Sequence, residues 1–190
     1  MLRMTLRSLL VFGALFAAFL NVTVTERPAQ AFFQPTEPPA DGSMPECLGL
    51  AGEALPIDNA RVIELKRTTR NQYKDRGFVQ GTVTQLFKRK GDHSHFEIRI
   101  GTGAKDVIEI VFNRDFGNPI VEAGDHVIAC GDYITSYAKS GGYDASPSDA
   151  LIHWVHENDR GGPHPDGFVI VNRAELHGYG QRARPVRVGQ

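Results

Sequence analysis

Apolar and polar residues alternate with a period of two over much of the stretch from residue 78 to 172, and a helical period stands out once before it. Val62, Leu65, Thr69 and Tyr73 fall near helical spacing behind Pro56-Ile57-Asp58, whose aspartate offers an N-cap, so a helix is predicted over about 59–72. From Phe78 to Phe87 the pattern becomes that of a strand, ending at the turn Lys88-Arg89-Lys90-Gly91-Asp92. His95 to Ile100 is its hairpin partner, with Phe96, Ile98 and Ile100 on one face. Gly101-Thr102-Gly103 turns into a third strand, Asp106 to Asn113, and an irregular or helical connection, Asp115 to Ala123, leads to a fourth, His126 to Cys130. After a polar loop containing Ser140-Gly141-Gly142 and Ser146-Pro147-Ser148, a fifth strand is expected from Ala150 to His156 and a short last one from Gly167 to Asn172.

These elements predict a mainly β chain: a small closed β-barrel of five to six strands, of the oligonucleotide- and oligosaccharide-binding (OB) type, with an N-terminal helix. A two-sheet sandwich is the alternative. The barrel is preferred because the first strand is long and interrupted at Gly81, as a strand shared by both ends of a curled sheet needs to be. The barrel domain is placed at 57–177. Before it, 32–56 is expected to be an extended linker, given Pro35, Pro38, Pro39 and Pro45 and few large apolar residues. After it, 178–190 reads as a disordered tail.

The first residues carry a different signal. Arg3 and Arg7 precede an apolar run of 12 residues, Leu9 to Leu20, well short of the roughly 20 that cross a bilayer as a helix. Ala29-Gln30-Ala31 fits a signal-peptidase site, so 1–31 reads as a signal peptide and Phe32 as the mature N-terminus. The expected location is periplasmic or extracellular, with no stable membrane anchor after cleavage. Export makes Cys47 and Cys130 a predicted disulfide. With a net charge of -1 over the whole chain, a dedicated nucleic-acid binder is not favoured. The basic residues Arg61, Lys66, Arg67, Arg70, Lys74 and Arg76 are read as a solvated helix face.

Two constellations carry possible chemistry. His93, His95, Glu97 and Arg99 share one face of the second strand, a polar row in which His95 and Arg99 are candidate ligand contacts; cross-strand ion pairing gives the same pattern. The second runs from His153 to Gly167 and holds three of the seven histidines. If the strand ends near Val155 and the chain curls back through Asn158, Asp159, Gly161, Gly162 and Pro163, then His153, His156 and His164 with Asp159 or Asp166 make a ligand set for zinc or a similar divalent ion. Trp154 is then a ligand-contacting aromatic. The alternative has these side chains closing turns while Trp154 fills the barrel mouth. There is no HExxH, and neither cysteine lies nearby in sequence.

From Gly77 to about Gly167 the chain resembles an uncharacterised family of exported bacterial proteins, a domain of unknown function. It shares a G-x-V start, an H-x-x-F-type second strand and a GD-x-V fourth strand. Family members close on a sequence like GG-x-x-HWTHHDP, then a histidine and a Gly-Trp pair. Gly141-Gly142, His153-Trp154, His156, His164 and Gly167 match it. Here a long insertion follows Gly142, Glu157-Asn158-Asp159 holds one residue more than simple alignment allows, and Phe168 stands for the tryptophan, so the family's aspartate falls on Asn158 or Asp159. The resemblance implies a fold and a site location and supplies no reaction.

Three function classes follow. The first is an exported module that binds a small-molecule or polymeric ligand, or a divalent metal, at the histidine turn. The second is a metal-assisted hydrolase of phosphodiester or glycan substrates, with Asp159 or Glu157 as base for a metal-bound water. A nuclease of the staphylococcal type ranks last, because its arginine and carboxylate motif is missing around Ile100 to Asp106. No GxSxG and no glycine-rich phosphate loop occurs. The mature protein is predicted to begin at or near Phe32; an intact mass of secreted material that retains 1–31 refutes this.

Overall fold

The structure is a computed structural model that describes residues 33, 37, 39–88 and 90–179, and the backbone of 184–185. The predicted signal peptide lies outside the described residues, as does most of the predicted tail. One helix, α1 (Asn59–Thr68), precedes the sheet. Asp58 caps it, its side chain accepting from the Arg61 N–H at 2.9 Å. The helix stops four residues earlier than its periodicity suggests. Thr69 is extended and Gln72 sits at φ 65°, and the Gln72 N–H bonds the Thr135 carbonyl instead of continuing the helix.

That turn starts β1 (Lys74–Leu86) four residues early, so the expected first strand, from Phe78, is only its second part. Lys74, Asp75 and Arg76 have no strand-like pattern; they are held by pairing with β4 (His126–Thr135), Lys74 opposite Ile134 and Arg76 opposite Asp132. With β2 (His93–Arg99), β3 (Val107–Asn113) and β5 (Ala150–His153), the order β1-β2-β3-β5-β4 returns to β1 and closes a five-stranded barrel of OB type. All pairings in it are antiparallel except β3 with β5. A register shift between Val83 and Gln85 lets β1 leave β4 and pair with β2. Gly81 sits at this crossing, where a Cβ would run into the Arg99 carbonyl. Beyond β4 the sheet adds β6 (Phe168–Val171), β7 (Glu175–His177) and a two-residue β8 (Arg184–Pro185). Strand β4 runs five residues past its predicted end and β5 stops three short. Between β3 and β4 only a short 3-10 helix, Arg114–Phe116, forms.

The barrel interior is filled by Phe96, Ile98, Ile108, Ile110, Phe112 and Ile152, with Val62 of α1 at one end. Each such side chain contributes roughly 1.5–3 kcal/mol by burial. A second apolar layer lies on the outside of β1, β4, β6 and β7: Phe78, Ile128, Cys130, Phe168, Ile170 and Leu176. Its cover is the stretch expected to be a linker. Leu55, Ile57 and Cys47 pack there, Cys47 is 1% exposed, and the predicted Cys47–Cys130 disulfide forms with a Cα separation of 5.8 Å. Closing a loop across 83 positions is worth about 4.5 kcal/mol in the loop-entropy model. Tyr179, placed in the disordered tail by composition, is buried in the same layer.

Arg76 is a second correction. It is on β1, not on a helix face, and is fully buried. Its guanidinium donates to the Leu48 carbonyl at 3.0 Å, to Asp132 Oδ1 at 2.8 Å and to the Asp166 carbonyl at 2.7 Å. Removing one partner of a buried pair typically costs about 3–5 kcal/mol, because the other charge is stranded. Arg76→Met is therefore expected to lower urea-unfolding stability by about that much, and Arg76→Met with Asp132→Leu to recover part of it. A single variant as stable as the parent overturns this account.

Candidate functional site

Alternation along the strands puts a polar row on the outside of the barrel, opposite the core residues. His95 on β2 stands opposite Val111 on β3, His153 on β5 opposite Asp132 on β4, and Asp132 opposite Arg76 on β1. Strands β3 and β5 run in parallel with Ile110 beside Ile152, so Val111 and His153 come next in step.

The chain leaves this row abruptly. Strand β5 ends at His153, and Trp154 takes a left-handed φ of 54°, an uncommon conformation for a bulky residue. Val155 turns back into the core, and the Gly167 N–H closes onto the His156 carbonyl at 2.8 Å. A Cβ at Gly167 would meet the carbonyls of Trp154 and Cys130, so glycine is required there. Between them the loop is held by Asn158, whose N–H donates to Asp166 Oδ1 at 2.6 Å and whose amide donates to the His164 carbonyl at 2.7 Å. Phe33 forms a backbone bridge to Gly162 on this loop, so part of the expected linker touches the histidine turn.

The result is an open cleft of about 670 Å³ at the turn. Phe116 stacks on His156 with ring centres 3.9 Å apart; His156 meets Trp154 at 4.7 Å, and Trp154 meets His164 at 4.7 Å. His153 faces His93 instead, at 5.6 Å. His156 Nδ1 is 2.8 Å from the Glu157 carbonyl. His164 Nδ1 lies 2.6 Å from Asp132 Oδ2, an ion-pair distance without the alignment of a hydrogen bond. Trp154 Nε1 is buried without a hydrogen-bond partner among the described residues.

The expected set His153, His156, His164 and Asp159 thus lines one cleft but does not point at one ion. The chain curls back as the ligand set requires, yet Trp154 follows His153 into the turn, stacks on His164 and packs at a tilt against His156. Among the described residues no three His, Cys, Asp or Glu side chains are grouped to hold a metal. Asp159 is on the cleft wall beside Arg160, and Asp166 is engaged by Asn158. Of the second-strand row, His93 lines the cleft; His95 and Arg99 do not. His95 is bonded to Glu109 at 2.7 Å, and Arg99 donates to the Gly103 carbonyl.

Burial governs the charge state of the imidazoles. His153 is pushed down to about 4, first by burial and then by the neighbouring His93 and His156. His93 and His156 are also lowered, each mainly by burial. Against these neutral rings stand Asp115, Glu157 and Asp159, with Arg160 as the cation of the lining. A smaller hollow of about 310 Å³ beside α1 is lined by Lys66, Arg67 and Lys105. Lys66 is bonded to two carbonyls there and Arg67 to Asp106, so its basic groups are largely engaged within the chain.

No family model and no curated protein matches the chain. Sequence reasoning missed Asp132 and Phe116 as parts of the site. From sequence the fourth strand is expected to end at Cys130, which leaves Asp132 outside any element, and Phe116 sits in a stretch without periodicity.

The lowered histidines set a pH dependence. A base whose folded-state pKa is depressed binds its proton more readily when unfolded, so its contribution is complete above about 6.5 and is lost as pH falls towards the folded value. For His153, shifted from 6.5 to about 4, the full effect is on the order of 3 kcal/mol. Urea-unfolding stability is expected to fall between pH 7 and 5, and His153→Gln to flatten that slope. Equal slopes in both proteins overturn the assignment.

Proposed function

We propose that this chain is an exported β-barrel module that binds a cationic ligand, foremost a divalent metal ion such as zinc, in the cleft at the histidine turn. The observation that carries the reading is the cleft's composition: three imidazoles with lowered pKa values among Asp115, Glu157 and Asp159, against Arg160. Neutral imidazole is the form that ligates a metal, and a carboxylate-rich wall attracts cations and repels anions. Export is supported by the signal-like N-terminus and is compatible with the disulfide. No helix among the described residues is long and apolar enough to cross a membrane.

A second reading, metal-assisted hydrolysis of a glycan or phosphodiester, draws on Glu157 and Asp159 sharing the wall with the imidazoles. Either carboxylate would take the proton of a metal-bound water. Turnover of model glycosides or phosphodiesters by the zinc-loaded protein distinguishes it from binding alone.

Calorimetric titration of the chelator-treated protein tests the main reading. Zinc is expected to bind at pH 7.5 and to be released only as pH falls towards about 4, the value to which His153 is lowered, where protons compete with zinc for the ring nitrogens. No heat with zinc, copper(II) or an organic polyamine overturns it.

A further inference from the structure

His93 and His153 are 60 positions apart in sequence and come from different strands. The barrel nevertheless sets their rings 5.6 Å apart with a 42° tilt. Metal–imidazole bonds are about 2 Å long, so two imidazoles on one ion keep their ring centres roughly 5 to 6 Å apart. The neighbouring histidines are differently placed. His95, His156 and His164 each have a protein oxygen within 2.8 Å of Nδ1. Among the described residues, neither the His93 nor the His153 ring makes a hydrogen bond to protein.

We infer that His93 and His153 form a two-imidazole anchor for a borderline transition-metal ion, zinc(II) or copper(II), at the inner wall of the cleft. The inference rests on the cation-binding reading and replaces the ligand set expected from sequence. The anchor is an open site. Asp115, exposed, lines the same cleft, and water would fill the positions that the two imidazoles leave open. Two nitrogens and one oxygen suit zinc and copper(II), whereas magnesium and calcium prefer all-oxygen shells.

Zinc titration of the chelator-treated full-length exported protein and its variants tests the assignment. His93→Gln and His153→Gln are each expected to weaken zinc binding by at least about tenfold, and His164→Gln to change it by less than about threefold. Copper(II) bound to the parent should show two nitrogen ligands by electron paramagnetic resonance, and one in either variant. If a variant fails to fold, the parent answers alone: zinc must shift the ring resonances of His93 and His153 and leave those of His95 unmoved. Zinc binding that survives both substitutions but is lost in His164→Gln or His156→Gln overturns the anchor and keeps the cation reading. Binding of polyamine or magnesium without zinc or copper does the same. A parent that binds none of these ions overturns both.

Discussion

A guanidinium shut away from water must have its donors answered inside the protein, and around Arg76 that requirement ties together segments far apart in sequence. One donor goes to Leu48 in the N-terminal cover, one to Asp132 on β4 and one to Asp166 at the end of the histidine loop. Burial works against the charge, and Asp132 works for it. Asp132 in turn places its second oxygen against His164. The outer apolar layer, the barrel wall and the cleft thus meet at one ion pair, beside the disulfide that anchors the same cover.

The barrel explains why the cleft sits where it does. Its inner face is apolar and full, so chemistry-bearing side chains appear on the outer face, and only where the second apolar layer stops. At that border the outward positions of β2, β5 and β4 carry His93, His153 and Asp132. The histidine loop folds over them with Trp154 between His156 and His164. Partial burial then keeps the imidazoles neutral without removing them from the cleft. Stability and ligand binding therefore draw on the same lowered imidazoles in different pH windows: stability falls as the unfolded chain takes up protons below about 6.5, and binding is lost only when the folded rings protonate, for His153 towards about 4.

Much of the architecture was legible from alternation alone, because a residue facing a barrel core must be apolar at every second position. The hairpin of β1 and β2, the third strand, the turn at 156–167 and the Cys47–Cys130 pairing, argued from export and an even cysteine count, all follow from local pattern or composition. Strand ends were less legible. Lys74 to Arg76 are charged, and their strand conformation comes from hydrogen bonds to β4, which no local propensity encodes. The N-terminal cover looked like a linker because its few apolar residues, Cys47 and Leu55 among them, are too sparse for a core of their own; they complete one supplied by the sheet.

The candidate site divides in the same way. Sequence by itself determined that histidines, a tryptophan and carboxylates gather between residues 153 and 167, since glycines, proline and asparagine there bend the chain on itself. Only the tertiary structure decided which of them meet. Strand pairing sets His153 beside His93, 60 positions away, while a left-handed Trp154 stacks on His164 and packs at a tilt against His156. Side-chain convergence depends on register between strands and on the turn that ends β5, and neither is written in the spacing of the histidines.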